Sequence, residues 1–185
     1  MSGDTAYGSA VSMGAAFAHK SRIELTSAER LAPLCGQVPS RGPLDAQTVV
    51  FKGQLGPTES SGGSAVGGSD GAAVEAALER LGWDRDRVFF AVAPVCADQL
   101  PDERAARITG IIEAVDPELV VTLDADAAAE VGVALGVPKP HFGRSSEVRG
   151  RSFVAVDGLE ASLADETRKR RVWTQFKAAR RRPIY

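Results

Sequence analysis

The spacing of apolar residues along the chain predicts strands and helices in regular alternation. Short runs of apolar and β-branched residues, typical of buried strands, lie at 48–53, 86–95, 118–124 and 152–158. Segments with apolar residues at helical spacing follow them, at 69–82, 101–115, 125–136 and from about residue 164. This alternation predicts an α/β fold with three layers, in which helices cover both faces of a central, mainly parallel sheet.

The first 47 residues show a weaker pattern. Residues 1–20 are small and polar, which predicts an arm with at most a short helix around 14–19. A short helix is expected in TSAERLAPLCG, with Thr26 or Ser27 as its N-cap and Gly36 as its stop. We therefore divide the chain into an N-terminal arm with a short helix, 1–47, and an α/β domain, 48–185.

Composition narrows the class of protein. The chain has 185 residues, of which 44% are hydrophobic, enough for one substantial core. No apolar run approaches the roughly 18 residues of a membrane helix, and no secretory signal pattern is present, so a cytoplasmic location without membrane contact is expected. Cys35 and Cys96 are too few for a disulfide framework, and the simplest interpretation of each is a buried thiol.

Basic residues are concentrated near the C-terminus, although the net charge is only −2. Such a tail on a mildly acidic body is typical of a surface that binds a polyanion. The alternative is a solvated helix end, whose cations complement the helix dipole and pair with Asp165 and Glu166 four residues earlier. The basic residues after Glu166 are Arg168, Lys169, Arg170, Arg171, Lys177, Arg180, Arg181 and Arg182.

A glycine-rich segment, GQLGPTESSGGSAVGGSDG, separates the first strand from the first long helix of the domain. Glycines at such a point commonly let the backbone approach a ligand, often a phosphate. Ligands of parallel sheets bind at the carboxyl ends of the strands. The segments GQLGP, APVC, LDAD and VDGLEAS are expected to converge there.

The order of these motifs resembles the uracil-DNA glycosylase superfamily, especially its iron–sulfur, family 4-like branch. That branch has a G-E-x-P-G motif, an acid shortly after it, a glycine-rich loop and a helix leading to LG-x-x-R-x-x-V. Here GQLGPTESSGGSAVGGSDGAAVEAALERLGWDRDRV has the same order, and one deleted residue brings Glu59, Gly63, Gly68 and Gly71 into register. RITGIIEAVDPELVVTLDADAAAEVG extends the resemblance, which covers residues 48–177. It implies a uracil-DNA glycosylase-like fold with a loop shaped for a flipped base and its phosphates.

The residues that carry the family's chemistry differ here. The position of its catalytic glutamate is Gln54, whose amide does not act as a carboxylate, and the acid of the family 1 motif corresponds to Leu55. The family's uracil-reading asparagine corresponds to Val92, and the histidine of its His-Pro pair to Asp157. The resemblance therefore implies a degenerate active site, with Glu59 and Asp157 as the remaining acids if any activity persists.

No cofactor is expected, although the chain resembles an iron–sulfur branch of the family. Cys96 matches the third cysteine ligand of the family's 4Fe–4S cluster and Cys35 lies near the first pair, but the other ligands are missing. We therefore expect no iron–sulfur cluster and assign no metal site. Asp124 and Asp126 in LDAD are candidates for a carboxylate pair, for which an N-cap of the next helix is the alternative.

Three functions fit these observations. The leading hypothesis is a non-catalytic uracil-DNA glycosylase-like module that binds nucleic acid or a protein partner. The alternatives are a diverged DNA glycosylase or other base-acting enzyme, and a structural or assembly subunit that docks through residues 1–20. For single- or double-stranded DNA, the predicted contacts are Gly53, Gln54, Gly56, Glu59, Gly63, Gly68, Arg168, Lys169, Arg170, Arg171, Arg180, Arg181 and Arg182.

Overall fold

The computed structural model of the chain describes residues 19–28 and 38–181. Within them, five strands form one sheet in the order β2-β1-β3-β5-β4. The strands are β1 (Thr48–Lys52), β2 (Val88–Val92), β3 (Leu119–Thr122), β4 (Ser145–Val148) and β5 (Arg151–Ala155). Strand β4 pairs with β5 in antiparallel orientation, and all other pairs are parallel. The predicted α/β fold with a mainly parallel central sheet is confirmed.

Helices lie on both faces of this sheet. A helix at 19–28 (α1) comes first. It is followed by α2 (Pro57–Ser60), α3 (Ser69–Arg80), α4 (Pro101–Val115), α5 (Ala125–Leu135), α6 (Leu159–Ser162) and α7 (Glu166–Phe176). Two short 3-10 turns, Arg85–Arg87 and Lys177–Ala179, complete the described helices. None of the helices in the described ranges is long and apolar enough to cross a membrane.

The core consists of two apolar layers, one on each side of the sheet. Side chains alternate along β1, so Val50 faces one layer while Val49 and Phe51 face the other. The first layer joins the sheet to α3 and α7 through Val74, Leu78, Val172 and Phe176. The second layer joins it to α4 and α5 through Ile108, Ile111, Ile112 and Val131. The predicted three-layer arrangement is therefore confirmed.

The β4–β5 hairpin is the largest departure from the predicted elements. The apolar pattern predicted no strand or helix between 136 and 152, but Ser145–Val148 pairs with the last strand. Arg149 and Gly150 form the turn with φ of 50° and 79°, the left-handed values that a tight two-residue hairpin favours. The sequence pattern did not predict strand β4. Its side chains are exposed or half-buried, so the strand lacks the apolar run that marks a buried strand.

Helix α1 changes the description of the first 47 residues. Thr26 and Ser27 lie inside this helix rather than at an N-cap, and Thr26 Oγ1 donates to the carbonyl oxygen of Arg22 (2.8 Å). Ala28 packs in the second apolar layer, and Arg41 pairs with Phe90 at the edge of β2. The described parts of 1–47 thus pack onto the α/β body. The predicted arm over 1–18 and the helix stop at Gly36 lie outside the described residues.

Candidate functional site

The carboxyl ends of β1 and β3 form the predicted crevice. These strands are neighbours, and the chain leaves β1 toward β2 on one side and β3 toward β5 on the other. Open α/β sheets bind ligands at such a reversal. Here a cleft of only about 60 Å³ remains, lined among others by Lys52, Gln54, Asp70, Asp124 and Glu160. This volume holds about two waters and lies well below the roughly 300 Å³ of a small-molecule site.

A buried ammonium group occupies the centre of this crevice. Lys52 ends β1 with 4% of its side chain exposed, and its Nζ donates to Asp70 Oδ2 (2.6 Å) and to Glu59 Oε2 (3.3 Å). Glu160 Oε2 lies 3.0 Å from the same Nζ. Asp70 and Glu59 are also buried, whereas Glu160 is half-exposed at the mouth of the cleft. We call these four residues the Lys52 cluster.

The carboxylates keep Lys52 charged. Burial opposes the ammonium charge and would lower the pKa of Lys52. The hydrogen bonds to Asp70 and Glu160, with the negative charges of Asp70 and Glu59, outweigh burial and raise the pKa well above the ordinary range for lysine. Lys52 therefore stays protonated at neutral pH, which removes it as a general base.

Glu59 is fully engaged by the protein itself. Its Oε2 accepts from the Gly56 N–H (2.9 Å) in addition to Lys52, and its Oε1 accepts from the Val66 N–H (2.8 Å). Only 1% of its side chain is exposed. These bonds connect β1, α2 and the glycine loop, so the contacts of Glu59 are structural.

Asp124 joins β1 to α5. Its Oδ1 accepts from the Ala127 N–H (2.8 Å), and its Oδ2 accepts from the N–H groups of Gly53 (2.8 Å) and Gln54 (3.2 Å). The N-cap alternative for this residue is confirmed. Asp126 Oδ2 accepts from Gln54 Nε2 (3.2 Å), so Gln54 bridges the two aspartates through its backbone N–H and its side-chain amide.

The glycine loop packs against the protein rather than around an open space. Ala65 and Val66 are completely buried within it. Arg41 holds both residues, since Nε donates to the carbonyl of Ala65 (3.0 Å) and Nη2 to that of Val66 (2.8 Å). The guanidinium group also stacks over Phe90, 3.8 Å from the ring centre. At Gly71, a Cβ atom would collide with the carbonyl oxygen of Val66.

The other predicted loop contacts are similarly close. A Cβ at Gly63 would lie 2.7 Å from the carbonyl oxygen of Thr58, and one at Gly68 would lie 3.0 Å from Thr58 Oγ1. A Cβ at Gly56 would lie 2.8 Å from Glu160 Oε1 and 2.9 Å from Lys52 Nζ. The protein's own backbone and ion pairs therefore account for these glycines without a ligand.

The other positions that the resemblance to uracil-DNA glycosylases marked as functional do not lie together in one site. Val92 is buried in the first apolar layer, and Leu55 packs against the same layer. The Asp157 N–H donates to Gln175 Oε1 on α7 (2.9 Å). Glu160, three residues after Asp157, is the acid of this segment that lines the cleft.

Cys96 is disulfide-bonded, which corrects its interpretation as a free buried thiol. The chain's other cysteine, Cys35, lies outside the described residues. Arg104 lies near Cys96 and donates to the Cys96 carbonyl oxygen (3.3 Å). Arg104 also pairs with Glu130 (2.7 Å), and the hydrogen bond to Glu130 raises the pKa of Arg104. In residues 19–28 and 38–181, no three His, Cys, Asp or Glu side chains are arranged to hold a metal ion.

The basic residues of α7 are not explained by the helix dipole. The run Arg168 to Arg171 occupies the first half of Glu166–Phe176, and the last turn of this helix has no basic residue. A helix N-terminus carries partial positive charge, so cations near it gain nothing from the dipole. The dipole interpretation of this run is therefore wrong.

Acidic partners neutralise only the beginning of the run. Arg168 lies 3.5 Å from Asp165 and Lys169 lies 2.7 Å from Glu166, each at a spacing of three residues rather than the predicted four. The carboxylate of Asp165, the N-cap of α7, accepts hydrogen bonds from the backbone N–H groups of Arg168 and Thr167. These bonds, the one from Arg168 most strongly, lower the pKa of Asp165. The hydrogen bond from Lys169 lowers the pKa of Glu166.

Three further cations share an exposed face. At 100° per residue, Arg170, Arg171 and Lys177 fall within an arc of about 120°, with Thr174 between them. All four residues are exposed, and no ion pair to these three cations is present among the described residues. We call Arg170, Arg171 and Lys177 the basic face of α7.

The other predicted basic contacts differ from one another. Arg181 is held by the protein, because its Nη2 lies 3.3 Å from Glu118 Oε1 and its guanidinium group lies 5.2 Å from the Trp83 ring centre. Arg180 is exposed. Arg182 lies outside the described residues.

Sequence reasoning missed the Lys52 cluster. A signal was present, since Lys52 is the one charged residue of the apolar run TVVFK, and a buried lysine needs acidic partners. Asp70 opens the helix that follows the glycine loop, so its position at the same sheet edge was also accessible from the sequence.

No protein-family model and no curated protein matches the chain.

Proposed function

We propose that this chain is a non-catalytic, uracil-DNA glycosylase-like module that binds the phosphate backbone of nucleic acid through the basic face of α7. The observation that carries the proposal is the set of exposed cations Arg170, Arg171 and Lys177, which form no ion pair among the described residues. Neither the helix dipole nor ion pairing accounts for Arg170 and Arg171, whereas Lys177, at the C-cap of α7, also complements the helix dipole. Exposed arginine and lysine side chains on one face are the usual means of sequence-independent phosphate binding.

The Lys52 cluster supports a non-catalytic function. Its ion pairs occupy the crevice where a sheet of this type would bind a substrate, and the free volume is about 60 Å³. A flipped base needs a pocket with groups that read its edge. Val92, at the position of the uracil-reading asparagine, is part of the apolar core, and Leu55, at the position of the family 1 acid, packs against it.

The proposed location is the cytoplasm, where such a partner is available. Disulfides are uncommon in that reducing compartment. The redox state of Cys96 in cells is therefore the observation that tests the location, and a persistent disulfide in fresh extracts would contradict it.

The proposal is tested by measuring binding of fluorescent duplex and single-stranded DNA, with and without uracil, by anisotropy. The decisive variant combines Arg170→Gln, Arg171→Gln and Lys177→Gln. We expect it to lose most of the affinity for every oligonucleotide, because the contacts go to phosphates rather than bases. A control with the same loss of charge elsewhere on the surface combines Arg22→Gln, Arg80→Gln and Lys139→Gln.

Alkali treatment of the same samples separates binding from catalysis. The proposal predicts intact strands, whereas strand breaks at uracil would reveal abasic sites and support the diverged glycosylase instead. Equal loss of affinity in the two triple variants would show that net charge, rather than the basic face, governs binding.

A further inference from the structure

A larger cleft lies at the amino edge of the sheet, opposite the Lys52 cluster. It measures about 300 Å³, the lower end of the range for sites that bind small molecules. One wall is the β4–β5 hairpin and the other is the chain that follows α7. The residues that matter for its chemistry are Trp83, Glu118, Glu147, Ser152, Arg180 and Arg181.

Two charged side chains in this cleft have groups that are available to bind a ligand. Arg180 is exposed and has no ion pair within the described part of the chain. Glu147 accepts from Ser152 Oγ through Oε1 (2.8 Å), and no described cation pairs with its carboxylate. A free cation and a free carboxylate oxygen therefore border the same space.

Arg181 supplies a flat, fixed surface in the same cleft. Its pairing with Glu118 and its contact with the Trp83 ring restrain the guanidinium group, while 31% of the side chain stays exposed. Unpaired bases stack on arginine planes as they do on aromatic rings. The cleft thus combines a stacking surface with groups of both charges.

A nucleotide matches these three features. Its phosphate suits Arg180, its ring suits the exposed part of Arg181, and an amino group on the base suits the Glu147 carboxylate. The cleft also adjoins the 3-10 turn that begins with Lys177, the last residue of the basic face. A strand bound along that face would reach the cleft directly.

We infer that the amino-edge cleft binds one unpaired nucleotide of a strand held on the basic face of α7. Arg180 holds the phosphate, Arg181 stacks on the base, and Glu147 accepts a hydrogen bond from the amino group of the base. The inference rests on the proposed function and adds a preference for unpaired bases. Cytosine, adenine and guanine carry an amino group, whereas thymine carries none, so the cleft favours the first three.

The test compares anisotropy of labelled oligo-dC and oligo-dT of equal length at one salt concentration. We expect the wild-type chain to bind oligo-dC about three- to tenfold more tightly, the usual effect of one hydrogen bond. Glu147→Ala should bring this ratio close to one, even if removal of a negative charge tightens binding of both oligomers. Arg180→Gln should weaken both oligomers, and the exposed control Glu79→Ala should keep the wild-type ratio.

The outcomes separate this inference from the proposed function. Salt-sensitive binding with equal affinity for the two oligomers, or a ratio that survives Glu147→Ala, would overturn the nucleotide site while the basic face remains supported. A failure of oligo-dC, oligo-dT and duplex DNA to bind at low salt would overturn the proposed function itself.

Discussion

Lys52 Nζ and Asp70 Oδ2 lie 2.6 Å apart, where β1 ends and α3 begins. These residues flank the glycine-rich loop, so their ion pair closes the loop at its base. Glu59, from within the loop, contacts the same ammonium group. A single buried cation thus links the end of β1, the glycine-rich loop and the start of α3, where the sequence pattern predicted a ligand.

Removal of this cation should destabilise the fold severely. Lys52→Met keeps the side-chain length but leaves the Glu59 and Asp70 carboxylates buried without a counter-ion. We expect the free energy of unfolding to fall by about 3–5 kcal/mol. Urea denaturation followed by circular dichroism measures this change, with the exposed Lys139→Met as the control. A loss below about 1 kcal/mol would show that the carboxylates are solvated or protonated instead.

The raised pKa of Lys52 predicts a loss of stability in alkali. In the unfolded chain the lysine deprotonates near its ordinary value of 10.5, whereas in the folded chain it stays protonated to higher pH. Its contribution is therefore complete below about pH 10.5 and declines above it, by up to about 1.4 kcal/mol per pH unit.

Urea denaturation from pH 8 to 11.5 checks this dependence. The difference in unfolding free energy between wild type and Lys52→Met should be constant up to about pH 10 and then shrink. A difference that grows with pH would mean that the folded state lowers the pKa.

Gly71→Ala should destabilise the protein, although alanine is the better helix former. The new methyl group would collide with the Val66 carbonyl oxygen, in a loop that Arg41 and Glu59 fix. Overpacking of this kind costs about 1–3 kcal/mol. At the exposed neighbour, Ala72→Gly should cost about 1 kcal/mol through helix propensity alone. Thermal unfolding of both variants tests the prediction, and a stabilised Gly71→Ala would refute the tight packing.

Glu59→Gln should affect stability but not nucleic-acid binding. An amide would place an N–H₂ group among the donors of Lys52, Gly56 and Val66, and unfolding should become easier by about 1–3 kcal/mol. Unchanged oligonucleotide affinity in the folded variant would agree with a structural role. If the wild type forms abasic sites and this variant does not, Glu59 is catalytic.

The alternation of apolar segments was sufficient to predict the fold. β1, β3 and β5 are buried strands in a parallel arrangement, and α4 has the predicted bounds 101–115. β4 was missed because an exposed edge strand needs no apolar run. Thr26 was misassigned as an N-cap because the sequence before it gave no clear sign of helix, although α1 already includes it.

The candidate site was harder to predict, because the reason for a glycine depends on what approaches it. The sequence pattern does not distinguish a backbone that approaches a phosphate from one that approaches Arg41 and Thr58. Charge runs pose the same difficulty. Arg170 and Arg181 look alike in the sequence, but only the contacts with Glu118 and Trp83 show that the Arg181 guanidinium group is held in place by the fold.

The salt dependence of duplex DNA binding tests the central claim most directly. If Arg170, Arg171 and Lys177 each neutralise one phosphate, the logarithm of the binding constant should fall against the logarithm of salt with a slope of about −2.7. A fourfold rise in salt would then weaken binding about 40-fold. The triple variant should lose this slope while the Arg22, Arg80 and Lys139 control keeps it. A slope near zero in the wild type, or one unchanged in the triple variant, would contradict the account.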